Sequence, residues 1–375
     1  MVNAIVLTAC LISAPDLVPV PDAEHTIVYH REGRFGGWPA NHGIWSWGDE
    51  ILVGFSDGWY KDLGDRHHID REKPEIHLLA RSMDGGTSWE ISDPALQGDL
   101  IPEGGFLHGV GRPDIEVPPL MDCPGGIDFT HPNFAMTART NSIDDGASRF
   151  WYSTDRGRDW LGPYRLPNFG FTGTAARTDY IVEDKNSCTL FITAAKSDRN
   201  EGRPICVRTS DGGESFQLVG AIGPEPAGFS IMPSTVRLDD DSYFTTVRLR
   251  EGRKRWIGAY RSDDNGETWQ KKPDPVDSCG EGNPPDLVKL ADGRLCLVYG
   301  YRAEPFSIRA RISDDEGETW GPILVLRDDG AARDIGYSRS IQRPDGKVVS
   351  LYYFTDAKTG PERYIAATIW SPPAR

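Results

Sequence analysis

The sequence predicts an all-β fold, a six-bladed β-propeller whose ring is closed by its N-terminal strand pairing with the last blade. Three observations carry this: a ten-residue phrase that returns five times, six hairpin patterns around those returns, and an unpaired strand left at the N-terminus. The phrase reads "RSMDGGTSWE" from 81, "YSTDRGRDWL" from 152, "RTSDGGESFQ" from 208, "RSDDNGETWQ" from 261 and "ISDDEGETWG" from 312. It reduces to S/T-x-D-x-G-x-x-W/F. Later copies recur at a little over fifty residues, the period of one repeated supersecondary unit. Its chemistry is that of a turn: Asp accepts backbone N–H groups, Gly takes a positive φ, and the closing aromatic plugs apolar space.

The elements follow in order. "HTIVYH" (25–30) is a strand with no hairpin of its own. "ANHGIWSWGDEILVGF" (40–55) is the first hairpin, and "HPNFAMTART" (131–140) marks the second unit. "DYIVEDKNSCTLFITA" (179–194) and "STVRLDDDSYFTTVRL" (234–249) repeat the theme with looser turns. "NPPDLVKLADGRLCLVYGYR" (283–302) and "YSRSIQRPDGKVVSLYYF" (337–354) show it most openly, as two apolar runs about an Asp-Gly turn. After the last hairpin only "ERYIAATIW" (362–370) remains, with no sixth phrase. Pairing 25–30 with that unit removes the edge an open array would expose. Residues 25–375 therefore read as one propeller domain and 1–24 as an N-terminal extension. The interval from Trp89 to Trp160 is longer than the others, which leaves room for a seventh blade as the structural alternative.

Composition limits the function classes. Fifty-six acidic against 41 basic residues, −15 net, argue against a nucleic-acid or anionic-membrane surface. The six cysteines show no C-x-x-C spacing and read as mostly free thiols. "AIVLTACLISA" has the length of a signal-peptide core but no basic residue before it, which favours a cytoplasmic protein over an exported one. No apolar run is long enough to span a bilayer. "DRHHID" (65–70) has no matched cluster elsewhere, so neither a metal nor another cofactor is expected.

In a propeller the innermost strands start near the axis at one mouth, and each inner hairpin returns there. Superposing the units places "WPANH" (38–42), "THPN" (130–133), "ARTD" (176–179), "MPST" (232–235), "NPPD" (283–286) and "YSRS" (337–340) around that mouth. With them come the returns Arg139, Lys196, Arg248, Arg302 and Asp356. Asn41, His42, His131, Arg177, Asp179 and Tyr337 are thus expected to share a cavity with Arg139, Arg248 and Arg302. Like charges gathered in an acidic protein need an anionic guest, and guanidinium forks suit a carboxylate or sulfate.

On these residues the chain resembles the bacterial sialidase superfamily, the Asp-box six-bladed propellers, over nearly its whole length. The resemblance implies a glycoside hydrolase with an arginine triad on the substrate carboxylate, an Asp acid/base after the first hairpin, and a Tyr nucleophile assisted by Glu. Tyr337 takes the nucleophile's place, Arg248 the middle arginine's, Arg302 or Arg309 the third's, and Asp70 the acid/base's. Two positions depart from the pattern. The first triad arginine is absent where Gly37-Trp38-Pro39 stands, and the strand due to carry the Glu reads "IMPSTVRL" with Pro233 and no acid. The expected activity is release of a terminal acidic sugar, sialic acid or a relative, from a glycan. One alternative is a uronide-active lyase or glycosidase, in which Tyr337 and His131 would abstract the proton α to an arginine-bound carboxylate. The other is a propeller that binds glycans without cleaving them.

Overall fold

The computed structural model describes residues 16–101 and 107–375, and the N-terminal apolar run with Cys10 lies outside the described residues. Six sheets form the blades of a propeller. Blade 1 sets Arg34–Gly37 and Ile44–Trp47 together along Glu50–Trp59, then adds Ile76–Ser82 and Glu90–Ser92. Blade 2 has three strands, Ala135–Thr140, Ser148–Ser153 and Leu161–Arg165. Blade 3 places Thr174–Ala175 and Tyr180–Val182 along Cys188–Ala195, followed by Glu201–Thr209 and Gln217–Ala221. Blade 4 is Phe229–Arg237, Tyr243–Glu251, Lys254–Ser262 and Gln270–Val276. Blade 5 is Pro285–Lys289, Leu295–Tyr301, Ser307–Ser313 and Ile323–Arg327, and blade 6 is Gly336–Gln342, Val348–Phe354 and Tyr364–Trp370.

The ring closes as expected, because Glu24–Tyr29 pairs antiparallel with Tyr364–Trp370 as the outer strand of blade 6. Leu17–Pro19 adds a parallel strand to the outer edge of blade 5, so the segment ahead of residue 24 also enters the sheets. The long first interval builds no seventh blade. Its spare length goes into irregular connections after blade 1, and the three-stranded blade 2 lacks an innermost strand.

The repeated phrase forms one turn five times. In the copy at 262–269, Gly266 N–H donates to Ser262 Oγ at 2.8 Å, Thr268 N–H to Asp264 Oδ1 at 2.9 Å, and Trp269 Nε1–H to the Gly266 carbonyl at 3.0 Å. The aromatic does not fold beneath its own hairpin. Four of the five pack on a ring of the preceding blade: Trp160 on Trp45, Phe216 on Phe150, Trp269 on Phe191 and Trp320 on Phe244, with ring centroids 5.5, 5.5, 6.2 and 6.4 Å apart. The phrase therefore staples neighbouring blades, and burying such aromatics dominates the energy of the contact. Cys123, Cys188, Cys206, Cys279 and Cys296 are buried free thiols. Among the described residues no helix is long and apolar enough to cross a membrane.

Candidate active site

The innermost strands do not run straight to the mouth. In blade 1 the chain leaves the sheet at Trp38 and makes the short helix Pro39–His42; in blades 4 and 6 the register slips between Ile231 and Ser234 and between Gly336 and Arg339. Trp38, Met232 and Tyr337 sit in these breaks with φ of 57°, 53° and 52°. Left-handed backbone costs a side-chain-bearing residue roughly 1–2 kcal/mol and persists only where the surroundings enforce it. At Tyr337 the enforcement is visible: its N–H donates to Asn283 Oδ1 at 2.9 Å, while Asn283 Nδ2 donates to the Ile335 carbonyl at 2.8 Å. Gly336 is needed beside it, since at φ +99° a Cβ would come within 2.4 Å of the Asn283 amide.

So held, the Tyr337 phenol meets two arginines of different character. Arg248 Nη1 donates to the phenol oxygen at 3.0 Å. Its Nε is buried without a partner, and among the described residues its hydrogen-bond partner is the Tyr337 phenol, not a carboxylate. Arg302 lies over the Tyr337 ring, Cζ to centroid 5.3 Å, but its donors are spent on the Ile335 carbonyl (2.9 Å), the Gly282 carbonyl (3.1 Å) and Tyr353 Oη. Arg302 props the platform and Arg248 remains able to hold an anion.

Below them lies Asp334, buried. It accepts from His67 Nδ1 at 2.6 Å, from Tyr353 Oη at 2.6 Å and from His68 N–H at 3.2 Å, with Arg302 and Arg363 at 3.6 and 3.8 Å. Burial alone would raise its pKa; His67, then Arg302 and Arg363, overcome that and hold it well below the usual carboxylate range. Burial in turn lowers the pKa of His67, against the pull of Asp334. The His67 ring stands edge-on to Tyr337, centroids 6.1 Å apart at 82°.

The facing wall comes from blade 1 and its loops. The ring of fully buried Trp38 lies 4.1 Å from that of His108 and 5.3 Å from that of His67. Glu75, fully buried at the mouth end of Ile76–Ser82, accepts His108 N–H at 2.9 Å through Oε2 and has no partner for Oε1. Burial raises its pKa, and Ser56 and Arg139 only partly oppose this. Arg139 Nη1 lies 2.7 Å from His42 Nε2, and burial pushes its pKa down to about 10. Burial, then Arg139, keeps His42 and His77 neutral. Trp38 Nε1, His77 Nε2 and His108 Nδ1 are also buried without protein partners. Such orphaned groups cost about 1–3 kcal/mol each, so their concentration on one wall favours a polar guest.

The superposed units thus bring Tyr337, Arg248, Arg302, Arg139, His42 and Arg177 to the mouth, and other expected residues elsewhere. Arg177 is neutralised by Glu201 at 2.6 Å. Asn41 is buried in the short helix with Oδ1 unpartnered. Asp179 lies deeper on the axis, where it accepts from Thr235 Oγ1 at 3.0 Å and lines a cavity of about 330 Å³ with Asp286 and Arg339. Burial pushes Asp179 up to about 7 and Asp286 to about 6. Arg309 points away from Tyr337: it stacks on Tyr301 at 3.5 Å and binds Ser307, which leaves Arg302 as the third arginine's match.

Two candidates need correction. His131 sits at the phrase end of blade 2, not the mouth, since nearby Ala135 pairs with Ser153 and Arg156 N–H binds the Asn133 carbonyl. The superposition failed there because blade 2 lacks the innermost strand that the other units supply. Asp70 joins none of the Tyr337 cluster; it caps Glu72 N–H at 3.2 Å and pairs with Lys61 at 3.3 Å. Against a desolvation that would raise it, the Glu72 N–H and Lys61 set its pKa below the ordinary value, the wrong direction for a proton donor. Glu75, His67, His108 and Asp334 are the residues that sequence reasoning missed. The usable signal was an acid, Glu75, placed directly before a strand that starts at the mouth.

A family model described as a BNR repeat-like domain matches residues 134–349, more than half of the chain. The chain belongs to the BNR repeat-like domain family. No curated protein matches this BNR repeat-like chain. Among solved structures it is similar to a protein of unknown function from Dyadobacter fermentans DSM 18053, with 20% identity, TM-score 0.70, and 94% and 100% of the two chains covered. It is also similar to the NanB sialidase of Streptococcus pneumoniae (11%, TM-score 0.59, 92% and 70% covered). A third is the α-L-arabinanase of Penicillium chrysogenum (12%, TM-score 0.58, 94% and 99% covered). At these identities the likeness is one of fold.

Proposed function

We propose that the protein is a glycoside hydrolase that releases a terminal acidic sugar from a glycan. The observation that carries this is the Tyr337 phenol, turned to the mouth by a strained backbone and bound at 3.0 Å by the acid-free guanidinium of Arg248. Arg248 suits the carboxylate of a sugar and a developing phenolate, both of which it stabilises as a fixed cation in a site shielded from water. Tyr337 acts as the nucleophile at the anomeric carbon, a recognised exception to the two-carboxylate rule for glycosidases. Glu75 takes the role first expected of Asp70: burial raises the pKa of its carboxyl, the direction that suits a group donating to the leaving oxygen and, as carboxylate, accepting from water. The likeness to a sialidase and an arabinanase supports glycoside cleavage in general. The unpaired arginine favours the acidic substrate.

A second reading rests on one observation, the pairing of His67, which stands against Tyr337, with His108, their ring centroids 6.0 Å apart. Two imidazoles, a phenol and one free arginine also suit proton abstraction α to a uronate carboxylate. Incubation with a fluorogenic α-sialoside, an aryl α-L-arabinofuranoside and a uronic-acid glycan panel separates the outcomes. Fluorophore or aryl release that is lost in Tyr337→Phe supports hydrolysis, and sialoside over arabinoside supports the acidic sugar. Growth of unsaturated-sugar absorbance without release overturns hydrolysis in favour of elimination, and silence in every arm overturns both.

A further inference from the structure

We infer that His67, oriented by Asp334, is the base that takes the phenolic proton of Tyr337. The inference rests on the reading of Tyr337 as nucleophile and supplies the partner which that reading lacks. A phenol with an ordinary pKa near ~10 is a poor nucleophile at neutral pH and needs a proton acceptor. Arg248 stabilises the phenolate but, with donors only, accepts nothing. The strand Phe229–Arg237, facing the phenol through Met232 and Arg248's neighbour Phe229, carries no carboxylate.

The geometry singles out His67. Its loop folds back across the mouth, with Lys61 N–H on the His68 carbonyl at 3.0 Å, and Asp334 grips it twice, at His67 Nδ1 (2.6 Å) and His68 N–H (3.2 Å). An ionised Asp334 only accepts, so the proton of a neutral His67 sits on Nδ1 and the lone pair on Nε2. The ring is fixed edge-on between Trp38 and Tyr337, centroids 5.3 and 6.1 Å away. Asp334 is only three residues ahead of Tyr337, so orienter and phenol share one turn of backbone, and the His67 loop is pinned to that turn. Asp334 itself is occupied by Tyr353, His67 and His68, and Glu75 is tied to the His108 N–H, so among the described residues His67 is the acceptor whose ring faces the phenol. The charged groups around the imidazole are Asp334, which favours the imidazolium, and Arg302 and Arg248, which oppose it, with His108 alongside. Burial and the arginines win, so His67 is neutral and able to accept at neutral pH. No hydrogen bond joins Nε2 to the phenol at rest; a bridging water or the tightening usual on substrate binding completes it.

The step balances. The phenolic proton passes to Nε2, the phenolate oxygen bonds to the anomeric carbon, and the aglycone oxygen leaves with the proton of Glu75. In the second half, water bonds to the anomeric carbon and gives its proton to Glu75 while the carbon–phenolate bond breaks and Tyr337 recovers the proton from His67.

The test needs no substrate. N-acetylimidazole modifies the nucleophilic phenol, and acetylation of Tyr337 is followed by peptide mass spectrometry at pH 7 in the full chain and in His67→Gln, whose amide preserves the bond to Asp334. The expected result is a fall of tenfold or more at Tyr337, with half-buried Tyr301 on another blade unchanged; an unchanged Tyr337 rate overturns the assignment. Should His67→Gln fail to fold, ¹⁵N-histidine spectra of the native chain decide. A neutral Nδ1–H tautomer at pH 7 agrees, and an Nε2–H tautomer or an imidazolium overturns it. Glycoside release measured alongside separates the two claims. Release that depends on Tyr337 but acetylation indifferent to His67 sinks the base alone, whereas His67-dependent acetylation with no glycoside cleaved sinks the hydrolase reading alone.

Discussion

Replacing Arg248 by Ala removes the guanidinium that touches the Tyr337 phenol and that, among the described residues, no acid neutralises. The phenol oxygen of Tyr337 loses a charged donor at 3.0 Å, and a substrate carboxylate loses its counter-ion. A hydrogen bond to a charged group is worth about 1.5–3 kcal/mol, so kcat/KM should fall roughly 10- to 150-fold. Stability should barely change, because Arg248 makes no salt bridge and its Nε is already an unpaired burial cost. Arg302→Ala is the contrast: it strips donors from two carbonyls and Tyr353, and uncovers buried Asp334 at 3.6 Å. Breaking such a buried network costs about 3–5 kcal/mol, which for a chain of this size lowers Tm by roughly 4–6 °C. Release from a fluorogenic acidic glycoside gives the first quantity and a thermal melt the second. Arg248→Lys should recover only part of the activity, since an ammonium lacks the fork. An Arg248→Ala enzyme within twofold of wild type, or one as unstable as Arg302→Ala, would refute the division between the two arginines.

Three further outcomes follow. Glu75→Gln should lower kcat/KM by about 10²–10⁴ on substrates with poor leaving groups, the usual worth of a general acid, while Asp70→Asn stays within a few-fold; the reverse ranking would return the acid role to Asp70. Gly336→Ala drives a Cβ into Asn283 at φ +99° and should cost about 1–3 kcal/mol in urea unfolding with loss of activity, a strained backbone being the cause. Thermal stability should pass through a maximum between pH 4 and 7. Asp179 and Asp286, raised to about 7 and about 6, take up protons in the folded state first, so stability rises as pH falls through that range. The phrase carboxylates act oppositely: Asp84, held at about 2 by Ser88, contributes stability that is present above its unfolded value of 3.8 and lost as pH falls toward 2. A midpoint that climbs steadily from pH 4 to 8 would contradict the raised pair.

Much of the molecule was legible because its signals are local. The turn phrase needs a hydroxyl, an Asp and a Gly at fixed offsets, and all five copies form the same bonds where the string predicts them, such as Gly86 and Gly317 N–H on Ser82 and Ser313 Oγ at 2.8 Å. Tyr337, Arg248 and Arg302 were reachable by superposing repeats, since equivalent positions in equivalent hairpins reach one mouth. His131 was misplaced by the same reasoning, because blade 2 departs from the repeat. Asp70 and Glu75 lie five residues apart on one loop, and only the path of that loop tells which carboxyl turns to His108 and which is tied to Lys61.

By itself the sequence determined the propeller, its blade number and its closure, because turn chemistry and strand alternation act over a few residues and repeat along the chain. Which charges cancel was left to the tertiary structure. Glu201 silences Arg177, Asp334 and three oxygens occupy Arg302, and Arg248 alone keeps an open guanidinium against Tyr337. A charge is spent or free according to what lies a few ångströms away, and at the mouth of a ring those neighbours come from blades up to hundreds of residues apart.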